Sequence, residues 1–142
     1  MKEEEIHVDP QIVKNITEIL KNIKKMKVKQ DKRVKWRREN DGRIITFNPI
    51  TGKICVMNPT LAEIYVMTKN PKGCTFETLI RTLKQRFPSI DEKQLESDIL
   101  RAMTWLFING FVYLEDTSKK SKKINIVDVI MEISNQKRGP RQ

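Results

Sequence analysis

The chain has 142 residues, 38% hydrophobic and 32% charged, with a formal net charge of +10, a composition that fits one domain with a modest core. No stretch approaches the roughly 18 consecutive apolar residues of a membrane span. The acidic start, Met1 to Glu5, lacks the apolar run of a secretory signal, so a cytoplasmic location is expected.

The positive charge invites a nucleic-acid reading, and its placement argues against one. Residues 1–40 hold 12 Lys/Arg against 7 Asp/Glu, residues 41–116 hold 9 against 9, and residues 117–142 hold 7 against 2. The basicity lies in the two ends, and the middle is neutral.

A first helix is expected at about 10–28. Asp9 can cap it, and Pro10 suits the first helical position, where its missing N–H costs nothing. Ile12, Ile16, Ile19, Ile23 and Met26 recur at spacings of three and four, with Val13 and Leu20 widening the stripe. The basic run 28–35 ends this helix. The period then changes to two. Strands are expected at 36–39, 43–48 and Lys53–Met57, joined by turns at Asn40-Asp41-Gly42 and Pro49-Ile50-Thr51-Gly52. Ile45 and Phe47 share one face. Ile54 and Val56 point one way from the third strand, Cys55 and Met57 the other, and the outer edge of this antiparallel meander is potentially free.

Three helices follow. Asn58-Pro59-Thr60 opens the first, with Leu61, Ile64, Tyr65 and Thr68 inward. Thr75 opens the second, where Phe76, Leu79, Ile80, Leu83 and Phe87 form the expected buried stripe before Pro88 stops it. Asp91 caps the third, which runs to about Asn109 with Gly110 as its stop. Leu95, Ile99, Ala102 and Leu106 make its core stripe; Asp98, Arg101 and Trp105 form an adjacent one, and Leu100, Met103 and Phe107 lie on the other side. Residues 111–114 read as a short returning strand. The lysines at 119, 120, 122 and 123 read as a linker, the apolar segment 124–133 as a short helix, and 136–142 as disordered. The division expected is a basic helical extension over 1–35, a domain over 36–116 and a basic tail over 117–142.

Catalytic chemistry is not spelled out. The only histidine, His7, has no neighbouring cysteine, so no metal site is read, and no Gly-rich phosphate loop appears. Cys55 and Cys74 lie 19 positions apart and read as buried, reduced thiols. The pairs Asp91-Glu92 and Glu115-Asp116 sit at element boundaries, where capping or solvation explains them. No catalytic residue or cofactor is expected.

The order of elements, with a spaced set of residues, resembles a known family. The set is Trp36 and Arg38, Phe47-Asn48-Pro49 and Gly52, Met57-Asn58, Leu61 and Ile64, Thr75, Leu79, Leu83, Phe87-Pro88, Asp98-Ile99, Leu106 and Gly110. Over residues 36–114 this resembles the PqqD-like family, the recognition element for ribosomally made, later modified peptides. The resemblance implies an α+β, winged-helix-like domain: a three-stranded antiparallel sheet, a three-helix bundle and a short return strand. It also implies that a precursor's leader peptide binds as an extra strand along the third strand, in the cleft beside the third helix, and is presented to a modifying enzyme, a radical S-adenosylmethionine enzyme among them. Carried onto this sequence, the peptide site is Lys53, Ile54, Cys55, Val56 and Met57, with Asp98, Arg101 and Trp105 facing the cleft. The longer connection 69–74 and the two extensions depart from the compact module. The extensions could cover the cleft, pair two copies or dock an enzyme.

Two other classes stay open. One is a winged-helix DNA-binding protein whose reading helix would be 91–109; Lys93 and Arg101 there face four acids, Asp91, Glu92, Glu96 and Asp98, which opposes phosphate binding. The other is a structural adaptor that assembles a complex without binding a peptide.

Overall fold

The computed structural model describes residues 9–117 and 122–131, and the fold is α+β with two antiparallel sheets. Helix α1 spans Pro10–Leu20, capped as expected by the Asp9 carboxylate, which accepts from the Gln11 N–H at 2.8 Å. It ends eight residues before the sequence predicts. A single 3-10 turn at Ile23–Lys25 follows, and then strand β1, Lys27–Gln30.

β1 overturns both the long first helix and the boundary drawn between 35 and 36. It pairs with β5 (Cys74–Thr75) on one edge and with β6 (Val112–Asp116) on the other, so the supposed extension supplies an interior strand. The reason is tertiary. Val28 is fully buried between outward lysines, while Ile23 and Met26, which fit a helical stripe, reach the core from the 3-10 turn instead. The sheet is completed by β7, Lys122–Ile124, in the order β5-β1-β6-β7.

The meander forms as expected: β2 (Lys35–Arg38), β3 (Ile44–Asn48) and β4 (Lys53–Met57) make a separate sheet in that order. Ile44, Thr46 and Asn48 of β3, with Met57 of β4, are its buried side. Ile45 and Phe47 face away from the core.

Helix α2, Pro59–Met67, starts at Asn58, whose side chain accepts from the Leu61 N–H at 2.8 Å. Helix α3, Phe76–Arg86, starts at Thr75, and α4, Glu92–Ile108, at Asp91. Phe87 is the C-cap of α3 and stands 42% exposed, outside the stripe assigned to it, because the backbone has left the helix there. On α4 the buried arc is wider than one stripe: Met103 and Phe107 are fully buried beside Leu95, Ile99 and Leu106, while Ala102 is only partly covered. α4 packs against α3, α2 and β6, and these neighbours on several sides widen its buried arc.

The return strand is one residue displaced from 111–114 and continues to Asp116. The predicted tail helix splits into β7, paired with β6, and a helical segment at 126–131 capped by Asn125, whose side-chain oxygen accepts from the Asp128 N–H at 2.7 Å. His7, Lys119, Lys120, Ile133 and residues 136–142 lie outside the described residues. The core is one cluster that draws on Ile23 and Val28, on Ile44 and Met57, on all of α2 to α4 and on Ile126. Among the described residues, no helix is long and apolar enough to cross a membrane.

Candidate functional site

β4 is the last strand of its sheet. β3 pairs with one edge, and among the described residues no strand pairs with the other. The ladder decides what that edge presents. The Glu39 N–H donates to the Arg43 carbonyl at 2.8 Å, closing the first hairpin. Bonded and non-bonded pairs alternate in an antiparallel ladder, so Arg37↔Ile45 and Lys35↔Phe47 continue the bonded set toward β2. Ile44, Thr46 and Asn48 then bond toward β4, where their partners are Met57, Cys55 and Lys53. The backbone N–H and C=O groups of Ile54 and Val56 therefore point outward from the open edge.

The side chains alternate with them. Met57 is buried and Cys55 half-buried, whereas Ile54 is 71% and Val56 52% exposed. Edge strands are commonly guarded by charges, prolines or bulges; β4 has a lysine at its first position and none of these afterwards. Burial raises the pKa of the Cys55 thiol, and that of Cys74 is pushed up to about 11 for the same reason. Both stay protonated near neutral pH and are poor nucleophiles.

The α4 residues divide. Arg101 and Trp105 line one open groove of about 460 Å³ together with Leu100, Thr104 and Ile108. Trp105 is 36% exposed, with one face stacked on Phe111. Asp98 lies outside this groove, on the exposed surface, and accepts from the Gln94 side-chain amide at 2.9 Å. None of Lys53–Met57 lines the groove. What meets the end of α4 is the turn before β4: Asn48, Ile50 and Thr51 enclose a smaller cavity of about 190 Å³ with Ile108, Asn109, Gly110, Ile126, Val127 and Ile130. The helical segment 126–131 thus covers part of the space between the meander and α4.

One ionic contact ties the meander to α2, and a second on the same carboxylate joins α2 to α3. Glu63 of α2 accepts from Arg38 of β2 and from Arg86 of α3. Arg38, and then Arg86, hold its carboxyl below the usual glutamate range. Among the described residues no group of His, Cys, Asp and Glu could hold a metal ion.

Sequence reasoning missed the outer face of the meander. Ile45 and Val56 are register partners, as are Phe47 and Ile54, and these four side chains form a contiguous apolar patch away from the core. Its signal was present in the alternation of both strands, but alternation alone does not say which face is buried. No protein-family model, curated protein or solved structure matches this chain.

Proposed function

We propose that this chain binds the leader segment of a ribosomally made precursor peptide by strand addition to the open edge of β4, and presents that peptide to a modifying enzyme. The observation that carries the reading is the edge itself: the outward backbone groups of Ile54 and Val56, whose own side chains are uncharged and exposed. An extended peptide satisfies such groups with its own backbone, and alternate side chains then supply selectivity. The residues of 36–114 that resemble a PqqD-like recognition element support the same reading. So does the order of a three-stranded sheet, α2 to α4 and a returning β6, which suits a winged-helix-like module enlarged by β1 and β7. In this reading Arg101 and Trp105 extend the peptide contact along α4, and the chain is a cytoplasmic binding protein without catalytic residues of its own.

Fluorescently labelled leader peptides, taken from short reading frames beside this chain's gene, test it by titration. Saturable binding that shields the Ile54 and Val56 amides from exchange is expected, with random duplex DNA binding weakly at physiological salt. Sequence-selective DNA binding without peptide affinity would overturn the reading in favour of a DNA-binding protein.

A further inference from the structure

The outer face of the meander is built in two rows that both stop at the open edge. One runs Arg37, Ile45, Val56 across β2, β3 and β4; the other runs Lys35, Phe47, Ile54. Each row begins with an exposed cation on the far strand and is apolar across β3 and β4: Phe47 of β3 is 43% exposed, and Ile54 and Val56 of β4 more so. The buried face behind it is occupied by Ile44, Thr46, Asn48 and Met57, packed on the helices. Among the described residues nothing covers the outer face.

We infer that these rows select the peptide: the strand accepted by β4 carries large aliphatic or aromatic side chains at two positions, i and i+2, on the outward side. The inference rests on the strand-addition reading and goes beyond it in naming the ligand's side-chain pattern. A strand paired with β4 places one residue directly opposite Ile54 and another opposite Val56, with Cβ atoms about 4.5–5.5 Å apart. Those two residues become the fourth members of the rows, with apolar neighbours on the only occupied side. Lys35 and Arg37 stand two strands further in, and Lys53 at the start of β4 adds positive charge on the edge strand. A basic residue at i or i+2 would lose hydration against Ile54 or Val56 and gain no partner. A short polar residue would leave both rows ending in water. Alternation, rather than overall hydrophobicity, is the requirement, because residue i+1 falls on the other side of the new strand.

Two fluorescein-labelled nonapeptides of five valines and four threonines test this, one alternating the two residues and one with its valines at positions 1, 2, 5, 6 and 9, so that no two valines stand two apart. Each is titrated into the full chain, with hydrogen exchange by NMR read at the Ile54 and Val56 amides and sedimentation run without peptide. The alternating peptide is expected to bind about tenfold more tightly, to protect both amides, and to lose its advantage in the doubly substituted Ile54→Thr, Val56→Thr protein. Threonine keeps β propensity at these exposed sites, and thermal melting verifies that the variant is folded. Equal binding of the two peptides with both amides protected would overturn the selectivity while leaving strand addition intact. No amide protection with either peptide would overturn strand addition and the selectivity together. A dimer whose Ile54 and Val56 amides are already protected would assign the edge and its rows to a second copy of the chain, which overturns the inference as well.

Discussion

The indole of Trp105 stacks on the ring of Phe111, with centroids 5.3 Å apart and planes 19° from parallel. Phe111 in turn meets Tyr65 edge-on at 6.2 Å, and Tyr65 meets Trp36 at 5.8 Å. Four aromatic rings thus run from the outer side of α4, through the core, to β2 at the far side of the meander. Trp105 is fixed at one end of this chain by the residue that follows the α4 stop, and its other face is left to the groove with Arg101.

Trp105→Ala therefore removes a stacking partner worth about 0.5–1.5 kcal/mol beyond area burial, plus the buried part of a large ring. A loss of roughly 2 kcal/mol in urea unfolding is expected, with the midpoint lowered and the slope unchanged. Trp105→Phe should recover most of it. If the exposed face also touches peptide, Trp105→Phe weakens peptide binding while retaining stability.

The Glu63 contacts predict a pH dependence with a definite sign. The folded-state pKa of Glu63 is depressed by Arg38 and Arg86, so its contribution is fully present above the ordinary glutamate pKa of about 4.3 and is lost as pH falls through the lower folded value. All three side chains are partly solvated, which limits each pair to about 1 kcal/mol or less. Glu63→Gln should lower stability at pH 7 by roughly 1 kcal/mol. The difference from the parent should shrink on acidification below about pH 4, as chemical unfolding at several pH values would reveal. A difference that is constant from pH 7 to pH 3 would rule out the ionic account.

Gly110 ends α4 at φ 77°, in the left-handed region. A Cβ there would meet Asn48 Nδ2 at 3.7 Å and Ile126 Cγ2 at 3.8 Å, ordinary contact distances, so the cost of a side chain is conformational rather than steric. Gly110→Ala should lower stability by about 1–2 kcal/mol, and Gly110→Asn by less, because asparagine tolerates this conformation better. Equal losses in thermal melting would point to crowding against Asn48 and Ile126 instead.

The meander and the helix starts were legible because local chemistry specifies them. Asp41-Gly42 and Pro49 to Gly52 are turn sequences, and Asp9, Asn58, Thr75 and Asp91 all cap the helices they precede. β1 was not legible. Lys-Val-Lys-Gln has one apolar side chain, and it becomes a strand because residues 74–75 and 112–116, distant in sequence, bond to its two edges. The same kind of long-range packing placed Met103 and Phe107 in the core. Within the candidate site, Ile54 and Val56 were read correctly as sharing a face, and the open edge was anticipated. Which backbone groups point outward required the register, and the separation of Asp98 from Arg101 and Trp105 required the positions of the neighbouring elements.

That register turns proline into a phase-sensitive probe of β4. The Val56 N–H points to the open edge, so Val56→Pro removes a donor that no described strand uses, and proline is tolerated at an edge position of that kind. The Cys55 N–H points to β3, so Cys55→Pro breaks a ladder bond opposite Thr46, whose hydroxyl already donates to the Cys55 carbonyl at 3.1 Å. The expected stabilities differ accordingly: Val56→Pro remains folded with a modest loss, while Cys55→Pro loses several kcal/mol and the protection of the Ile44–Asn48 amides. The expected binding follows the opposite order of cause. In folded Val56→Pro, an added strand loses one hydrogen bond of about 1 kcal/mol and meets the proline ring, so leader-peptide affinity should fall at least about tenfold. Lys72→Ala, in the α2–α3 connection, should change affinity only through a salt-dependent term. A folded Val56→Pro protein that binds peptide as the parent does, with Ile54→Pro doing the same at the other outward donor, would exclude the β4 edge as the acceptor.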